Sequence, residues 1–250
     1  MLRANAVTSC VKGVTSREKK ENCFMKIKAA IFDMDGTLIN SLIMWDVMWS
    51  RFGEKYLGDG GFRPSAEDEK RVRTLTLRDA MHLIHKNYSI AESGDALHAE
   101  AEHLLAQFYS HEVQMKPGAL EFLKYLKAKG VKMCIASATV PALVTLVIEH
   151  LGLAPYFSAV FSCGAIGKGK EEPDVFLAAA EYLGKDIGDT WVFEDSLVAL
   201  ETAARIGMPT VAIYDPNNFG QETMKKIANV YVGEGETLMK VSLLCESEGE

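Results

Sequence analysis

The stretch AAIFDMDGTLINS (residues 29–41) places two aspartates, one residue apart, directly after an apolar run. Residues 28–33, KAAIFD, are short, apolar and followed by a glycine turn, which predicts a buried β-strand. Residues two apart in a strand point the same way, so Asp33 and Asp35 can flank one centre where the strand ends. Gly36 then lets the backbone turn sharply away. The stretch therefore predicts a strand that delivers a pair of carboxylates to one site.

Four further apolar runs have the same strand-like character. They are VKMCIAS (131–137), AVFSC (159–163), TWVFE (190–194) and PTVAIY (209–214). Amphipathic helical patterns lie between them: one begins after Gly118 and ends at Gly130, and another runs from Pro173 to Gly184. Strands that alternate with helices predict an α/β fold, in which a doubly wound parallel sheet is covered by helices on both faces.

A helical insert interrupts this alternation at residues 42–115. Its apolar residues recur in three stripes at helical spacing, and the motifs SAED (65–68) and TLRD (76–79) are typical of helix N-terminal capping boxes. We therefore predict a helical cap domain at 42–115, inserted into a core domain of residues 25–41 and 116–245. Because open α/β sheets bind ligands beyond the carboxyl ends of their strands, this insert is expected to cover the site.

The composition narrows the class of partner. The 250 residues are 48% apolar and 24% charged, as in an ordinary soluble globular protein, and no run approaches the ~20 apolar residues of a membrane helix. The formal charge of −7 argues against nucleic acid or an anionic membrane as the main partner. The five cysteines are scattered without a CxxC pair, which indicates reduced thiols and a cytoplasmic protein. We expect a monomer or a weak oligomer.

The two ends of the chain differ from the rest. Residues 1–24 lack periodicity and the apolar segment of a secretory signal, so we interpret them as an extension outside the fold, with a natural start at Met25. Residues 246–250 form an acidic tail that we expect to fray.

Polar residues follow four of the predicted strands at their carboxyl ends. They are Asp33 and Asp35, then Ser137, then Lys170, and finally Glu194 and Asp195. Carboxylates at short range raise one another's pKa unless a cation neutralises them, and carboxylate oxygens are ligands that suit Mg²⁺. The set therefore predicts a Mg²⁺ site for a small phosphorylated substrate.

Two carboxylates at this spacing can divide the work of phosphoryl transfer. One can attack phosphorus as a nucleophile, while the other protonates the leaving oxygen and later activates water. The Lys170 ammonium, the Ser137 hydroxyl and nearby backbone N–H groups, such as that of Ala138, can neutralise the phosphoryl oxygens.

Four motifs in sequence order resemble those of the haloacid dehalogenase-like (HAD) superfamily of phosphotransferases. They are FDMDGTL (32–38), IASAT (135–139), KEEPDVF (170–176) and VFEDS (192–196). The helical insert resembles the C1 cap of the β-phosphoglucomutase-like phosphatase group, and the likeness covers roughly residues 25–232. The combination of four motifs is far more specific than any one of them. The resemblance implies a Rossmann-like HAD core and a Mg²⁺-dependent phosphatase acting on a small phosphomonoester, such as a sugar phosphate.

The resemblance also implies roles for the four acids. Asp33 is expected to be the nucleophile and a Mg²⁺ ligand. Asp35 is expected to be the general acid and base, and to bind the metal through its backbone carbonyl. Asp195 is expected to bind the metal as well, with Glu194 contributing directly or through water.

The remaining motif residues are expected to bind phosphate. The resemblance implies that Ser137, Ala138 and Lys170 hold the transferring phosphoryl group, and that Thr37 lies at the same site and helps to position Asp35. The third motif departs from the common K-P-x-P pattern because Glu171 replaces the first proline, which makes the loop after Lys170 less rigid.

Three alternatives stay open at this point. A phosphosugar mutase would place a cap arginine on the substrate's second phosphate, but Leu77 stands at that position, although Arg71, Arg73 or Arg78 could substitute. A dehalogenase would not need Asp35. A catalytically silent HAD-fold binding or regulatory protein should have lost one of the reacting residues, and all of them are present.

Overall fold

The protein folds around a central parallel sheet in the computed structural model, which describes residues 26–72 and 75–245. The predicted extension at 1–24 and the acidic tail at 246–250 lie outside the described residues. The strands are β1 (Ala29–Phe32), β2 (Lys132–Ser137), β3 (Val160–Ser162), β4 (Thr190–Glu194), β5 (Thr210–Ile213) and β6 (Val230–Val232). Their spatial order is β3-β2-β1-β4-β5-β6, and every neighbouring pair is parallel.

Helices connect the strands and form the long insert after β1. The insert contains α1 (Met44–Phe52), α2 (Ala66–Val72), α3 (Leu77–Tyr88) and α4 (Gly94–Gln107), with π-helical turns at Gly53–Leu57 and Phe108–Glu112. The remaining helices are α5 (Ala119–Ala128), α6 (Pro141–His150), α7 (Cys163–Ile166), α8 (Asp174–Leu183), α9 (Leu197–Arg205), α10 (Gln221–Ile227) and α11 (Met239–Cys245), with a 3₁₀ turn at Ile187–Asp189.

The sheet has its topological switch point at β1. From β1 the chain first builds outward through β2 to β3, and then returns to the other side of β1 with β4. In open α/β sheets the crevice beyond the carboxyl ends of the strands at such a point is where ligands bind. The β1 and β4 strands therefore present their last residues to the same crevice.

The predicted α/β fold is confirmed, with small differences at strand ends and one strand missed. The run 190–194 has the predicted bounds, whereas the third strand is shorter than predicted because Cys163 already begins α7. The sixth strand, Val230–Val232, was not predicted, because its apolar run between Asn229 and Gly233 is shorter than the runs of five or more residues that predicted the other strands. It adds to the edge of the sheet beside β5.

The apolar residues of β1 alternate between two cores, one on each face of the sheet. Ala30 and Phe32 pack into the larger core, where the Phe32 ring stacks on Phe193 at 4.3 Å between centroids. Ala29 and Ile31 pack on the opposite face, against α8 and α9. Full burial of a side chain such as Ile31 or Phe32 stabilises the fold by about 1.5–3 kcal/mol. Both faces are covered, as expected for a parallel sheet.

The helical insert has its predicted helix starts. The backbone N–H of Asp68 donates to the Ser65 hydroxyl at 3.1 Å, and that of Asp79 donates to the Thr76 hydroxyl at 3.1 Å. The apolar stripe that includes Trp49 joins the larger core of the sheet in one continuous cluster. The separation into a core domain and a cap domain stays a prediction.

No helix among the described residues is long and apolar enough to cross a lipid bilayer.

Candidate active site

The carboxyl ends of β1 and β4 bring three carboxylates together. Phe32 pairs with Phe193 in the parallel register. The residues that follow them, Asp33 and Glu194, therefore lie side by side. Asp33, Glu194 and Asp195 are 6%, 1% and 4% exposed. Each offers one carboxylate oxygen that lies within 4.8 Å of the others. The strand register therefore concentrates negative charge in a place that water hardly reaches.

The turn after β1 depends on Gly36. Its φ of +75° lies in the left-handed region, where a Cβ is strained. A Cβ added there would lie 2.1 Å from Oδ2 of Asp195 and 2.7 Å from its Cγ, so the Asp195 carboxylate lies against the bare backbone of Gly36. Glycine is thus required both by the turn and by the space that Asp195 takes.

Lys170 connects two of the three acids. Its ammonium contacts Oδ1 of Asp33 and lies 2.5 Å from Oε1 of Glu194, and its side chain is only 10% exposed. Burial alone would lower the pKa of Lys170, but the carboxylates of Asp33 and Glu194 outweigh that effect and hold the pKa above its usual range. Lys170 is therefore a fixed positive charge at the end of β1.

A single ammonium does not balance this group of acids. Burial raises the pKa of Asp33 well above its usual range, with Lys170 opposing the shift and Glu194 adding to it. Burial and the neighbouring Glu194 raise the pKa of Asp195 to about 7, against the hydrogen bond from Asn218. The site consequently has an electrostatic demand for further positive charge.

Thr37 and Asn218 support Asp195 from two sides. The Thr37 hydroxyl donates to Oδ1 at 3.3 Å, and the Asn218 amide donates to both Oδ2 and the backbone carbonyl of Asp195 at 2.8 Å. The expected part of Thr37 in positioning Asp35 stays a prediction, because the bond of its hydroxyl to Asp195 does not test it. Contact of Thr37 with phosphate stays a prediction.

Glu194 already has partners for both carboxylate oxygens. Oε1 pairs with Lys170, and Oε2 accepts the backbone N–H groups of Asp195 and Ser196, each at 3.0 Å. These contacts hold the loop after β4 in a tight turn at the start of α9. The expected contact of Glu194 with a metal, direct or through water, stays a prediction.

Asp35 receives a hydrogen bond at each carboxylate oxygen. The Tyr109 hydroxyl donates to Oδ1 at 2.6 Å, and the Thr139 hydroxyl donates to Oδ2 at 2.7 Å. Tyr109 belongs to the π-helical turn that ends the helical insert, whereas Thr139 lies in the loop after β2. Burial and the charge of Asp35 raise the pKa of Tyr109 well above its usual range, so its hydroxyl keeps its proton and can donate.

Ser137 and Ala138 stand at the end of β2, beside β1. Ile135 pairs with Phe32, which puts Ser137 one residue beyond the level of Asp33. The Ser137 hydroxyl is buried and accepts the backbone N–H of Thr139 at 3.0 Å, while Ala138 is exposed. A cavity of about 700 Å³ opens beside this loop and is bordered by α3 and α4 of the insert. Ala138, Thr139 and Tyr109 all line it.

The donor set fits Mg²⁺. The ion prefers oxygen ligands at about 2.0–2.1 Å, which places two ligands of one ion no more than about 4.2 Å apart. Carboxylate oxygens of Asp33 and Asp195 lie within 4.8 Å of each other, so a small side-chain adjustment brings both to one ion. Asp33, Glu194 and Asp195 contain no nitrogen or sulfur donor, which disfavours zinc.

The structure brings the sequence-predicted acids and Lys170 together and adds three residues that sequence reasoning missed. Asn218 follows β5, so the strand-end rule applied to a fifth strand would have found it. Thr139 is the last residue of the IASAT motif and follows β2, so the strand-end rule would have found it as well. The sequence does not mark Tyr109 as a site residue, because it looks like one more apolar residue of a helical stripe.

Comparisons with known proteins agree with this architecture. A family model described as a haloacid dehalogenase-like hydrolase matches residues 27–207. A phosphorylated carbohydrates phosphatase of Thermotoga maritima is 25% identical over 186 residues, 74% of this chain and 84% of the relative. A bifunctional riboflavin kinase/FMN phosphatase of Arabidopsis thaliana is 28% identical over 195 residues, 77% of this chain but 50% of the relative, so the chain spans about half of that protein's length.

A solved structure shares the fold over most of the chain. The crystal structure of a putative beta-phosphoglucomutase from Thermotoga maritima superimposes with a TM-score of 0.70 and 22% identity, over 88% of this chain and 98% of that one. At that identity the likeness concerns the fold alone.

Proposed function

The chain belongs to the haloacid dehalogenase-like hydrolase family, and on that premise we propose that it is a Mg²⁺-dependent phosphatase of small phosphomonoesters, with Asp33 as the nucleophile. Sugar phosphates are the favoured substrate class, in keeping with the phosphorylated carbohydrates phosphatase among the relatives. The observation that carries the proposal is the contact of buried Lys170 with Asp33 and Glu194, with Asp195 beside them. Transfer of a phosphoryl group by this route uses a nucleophile, a cation and a metal site.

The metal site would use the chain's oxygen donors. Asp33 and Asp195 would hold Mg²⁺ through their carboxylates, Asp35 through its backbone carbonyl, and Glu194 through a water molecule. When bound, Mg²⁺ would neutralise charge on the phosphoryl oxygens and on the surrounding carboxylates. The raised pKa values of Asp33 and Asp195 support this assignment, because buried carboxylates of one sign need a cation to ionise together.

In the first step Asp33 takes the phosphoryl group. An oxygen of its carboxylate forms a bond to phosphorus while the bond from phosphorus to the ester oxygen breaks. The carboxyl group of Asp35 gives its proton to that ester oxygen, which leaves as an alcohol. Lys170 and Ser137 hold the phosphoryl oxygens by charge and by hydrogen bonding.

In the second step water removes the phosphoryl group from Asp33. The Asp35 carboxylate, now without its proton, accepts one from the attacking water. The water oxygen bonds to phosphorus as the bond to Asp33 breaks, which releases inorganic phosphate and restores both carboxyl groups. Two easier steps thus replace one difficult displacement.

The cavity beside Asp35 is suited to the leaving group. Tyr109 and Thr139, which contact the two oxygens of Asp35, also line the cavity of about 700 Å³. That size lies within the range of sites for small metabolites. We propose that the insert acts as a cap that encloses the leaving group there and excludes bulk water.

The test is phosphate release from a panel of phosphate esters with Mg²⁺, using wild type and Asp33→Asn. Wild type is expected to hydrolyse at least one small ester, and Asp33→Asn to lose at least about 10³-fold in rate. Asp189→Asn is a matched control, because it neutralises a surface carboxylate paired with Lys28 at 2.7 Å, before β4 rather than after it. Comparable turnover by Asp33→Asn would refute the nucleophile assignment.

The same assay separates a phosphatase from a phosphosugar mutase. Arg78 lines the cavity but pairs with Asp95 at 2.5 Å, and Leu77 occupies the position of the mutase arginine. Arg73 lies outside the described residues. We therefore expect free phosphate rather than isomerised sugar phosphate. Interconversion of a hexose 1-phosphate and 6-phosphate without phosphate release would overturn the proposal in favour of a mutase.

A further inference from the structure

The geometry points to Tyr109 as a positioning residue for the general acid. We propose that the Tyr109 hydroxyl, by donating to Oδ1 of Asp35, holds the Asp35 carboxyl group in the orientation from which it protonates the leaving oxygen. This inference rests on the proposed function, in which Asp35 is the acid and base. It assigns to the helical insert a part in the chemistry, in addition to covering the site.

The argument begins with the freedom that Asp35 would have alone. The final torsion of an aspartate side chain has a broad energy minimum, so a carboxyl group in a cleft can rotate. Two donors on separate elements remove that freedom: Tyr109 from the end of the insert at 2.6 Å, and Thr139 from the loop after β2 at 2.7 Å. These distances are typical of strong bonds from hydroxyl groups to carboxylates.

Tyr109 is itself held in place. Its side chain is 6% exposed, and its ring packs edge to face against Phe108 at 5.8 Å between centroids. It lies in a π-helical turn, a local distortion that often occurs at functional sites. A buried ring has few alternative rotamers, so the position of the hydroxyl is set by the backbone of the insert.

The two hydrogen bonds leave Asp35 able to react. Each carboxylate oxygen has two lone pairs, and the contacts with Tyr109 and Thr139 use one on each oxygen. The other positions stay open to the leaving oxygen in the first step and to water in the second. Tyr109 therefore need not touch the substrate to affect proton transfer.

Positioning of an acid has a kinetic signature that a structural role lacks. An ester with a weakly basic leaving group, such as p-nitrophenyl phosphate, needs little protonation as it departs. Benzyl phosphate has a similar shape but releases a strongly basic alkoxide unless a proton arrives. A badly oriented Asp35 should therefore slow benzyl phosphate far more than p-nitrophenyl phosphate.

The experiment measures kcat and KM for both esters in wild type, Tyr109→Phe and Tyr88→Phe, with Mg²⁺. Tyr109→Phe is expected to lower kcat/KM, which reports the transfer of the phosphoryl group to Asp33, about 10–100-fold for benzyl phosphate and less than about 3-fold for p-nitrophenyl phosphate. Tyr88→Phe is the matched control, since it removes a tyrosine–aspartate bond to Asp68 at 2.7 Å elsewhere in the insert. It should keep the wild-type ratio of the two rates.

Two further variants separate the failure of this inference from failure of the proposed function. Asp35→Asn should show the same leaving-group dependence in stronger form, and adding Tyr109→Phe to it should cause no further loss. Thr139→Val, which removes the other donor at nearly constant volume, should lower kcat/KM for benzyl phosphate selectively. Equal losses of kcat/KM for both esters in Tyr109→Phe would overturn the role of Tyr109. Equal losses of kcat/KM for both esters in Asp35→Asn would overturn both proposals.

Discussion

Replacement of Gly36 by alanine tests the metal site through a single methyl group. Gly36 has φ +75°, and its added Cβ would lie 2.1 Å from Oδ2 of Asp195. Ordinary contact between such atoms needs about 3.5 Å, so the carboxylate must move by more than about 1 Å. The variant thus displaces a proposed Mg²⁺ ligand and leaves every carboxylate of the site in the chain.

Gly130→Ala is a matched control for the backbone cost. Gly130 has φ +72°, and its Cβ would meet nothing within 4 Å. Each variant pays roughly 1–2 kcal/mol for an alanine in the left-handed region. In a chain of this size each kcal/mol lowers Tm by roughly 2–4 °C. Both variants should therefore have a lower Tm because of backbone strain. Only in Gly36→Ala should the new methyl group also clash with Asp195.

The functional difference is expected in the response to Mg²⁺. Metal–ligand distances tolerate shifts of about 0.2 Å, much less than the displacement forced on Asp195. We expect Gly36→Ala to need about 10–100-fold more Mg²⁺ for half-maximal phosphate release. The assay is a Mg²⁺ titration of phosphate release for wild type and both variants, with Tm measured in EDTA. A Mg²⁺ requirement for Gly36→Ala within about twofold of that for Gly130→Ala would refute Asp195 as a ligand.

Two further predictions concern the buried charges in the metal-free protein. Lys170→Met leaves Asp33 and Glu194 without their cation, so we expect a loss of about 3–5 kcal/mol and a Tm lower by roughly 6–20 °C. Lys168→Met, which removes an exposed lysine, should leave Tm near that of wild type by the same thermal measurement; equal losses would contradict the buried pairing. Because the pKa of Asp195 is raised to about 7, the folded state binds its proton more tightly than the unfolded chain does, and stability should fall as pH rises from about 4 to 7. Thermal unfolding in EDTA across that range should show a smaller fall for Asp195→Asn, and an unchanged slope would contradict the assignment.

The main features of the fold were predictable because they depend on local patterns. Residues 29–32 form a strand because the run is apolar, and the carboxylates that follow stand where a parallel sheet presents its carboxyl ends. The helix that ends at Leu183, before Gly184, and the capping boxes at Ser65 and Thr76 likewise need only neighbours a few residues away. β6 escaped prediction because its apolar run, between Asn229 and Gly233, has only three residues, whereas β3 lies in a run of five.

The hydrogen-bond partners of the carboxylates in the candidate site were not predictable in the same way. The Tyr109 hydroxyl meets Asp35 across 74 residues, and the Asn218 amide meets Asp195 across 23. Such contacts depend on where the insert and the loop after β5 lie in space. The Thr37 hydroxyl likewise meets Asp195 across 158 residues of the chain.

The sequence by itself determined the α/β class, the helical insert and the set of acids and lysine that ends the strands, because strand and helix periods and turn residues act within a few positions of the chain. Only the tertiary structure decided that Lys170 lies between two buried carboxylates, and that a tyrosine of the insert donates a hydrogen bond to the Asp35 side chain. The physical reason is that hydrogen bonds and ion pairs depend on distances of a few ångströms, which the packing of distant segments sets.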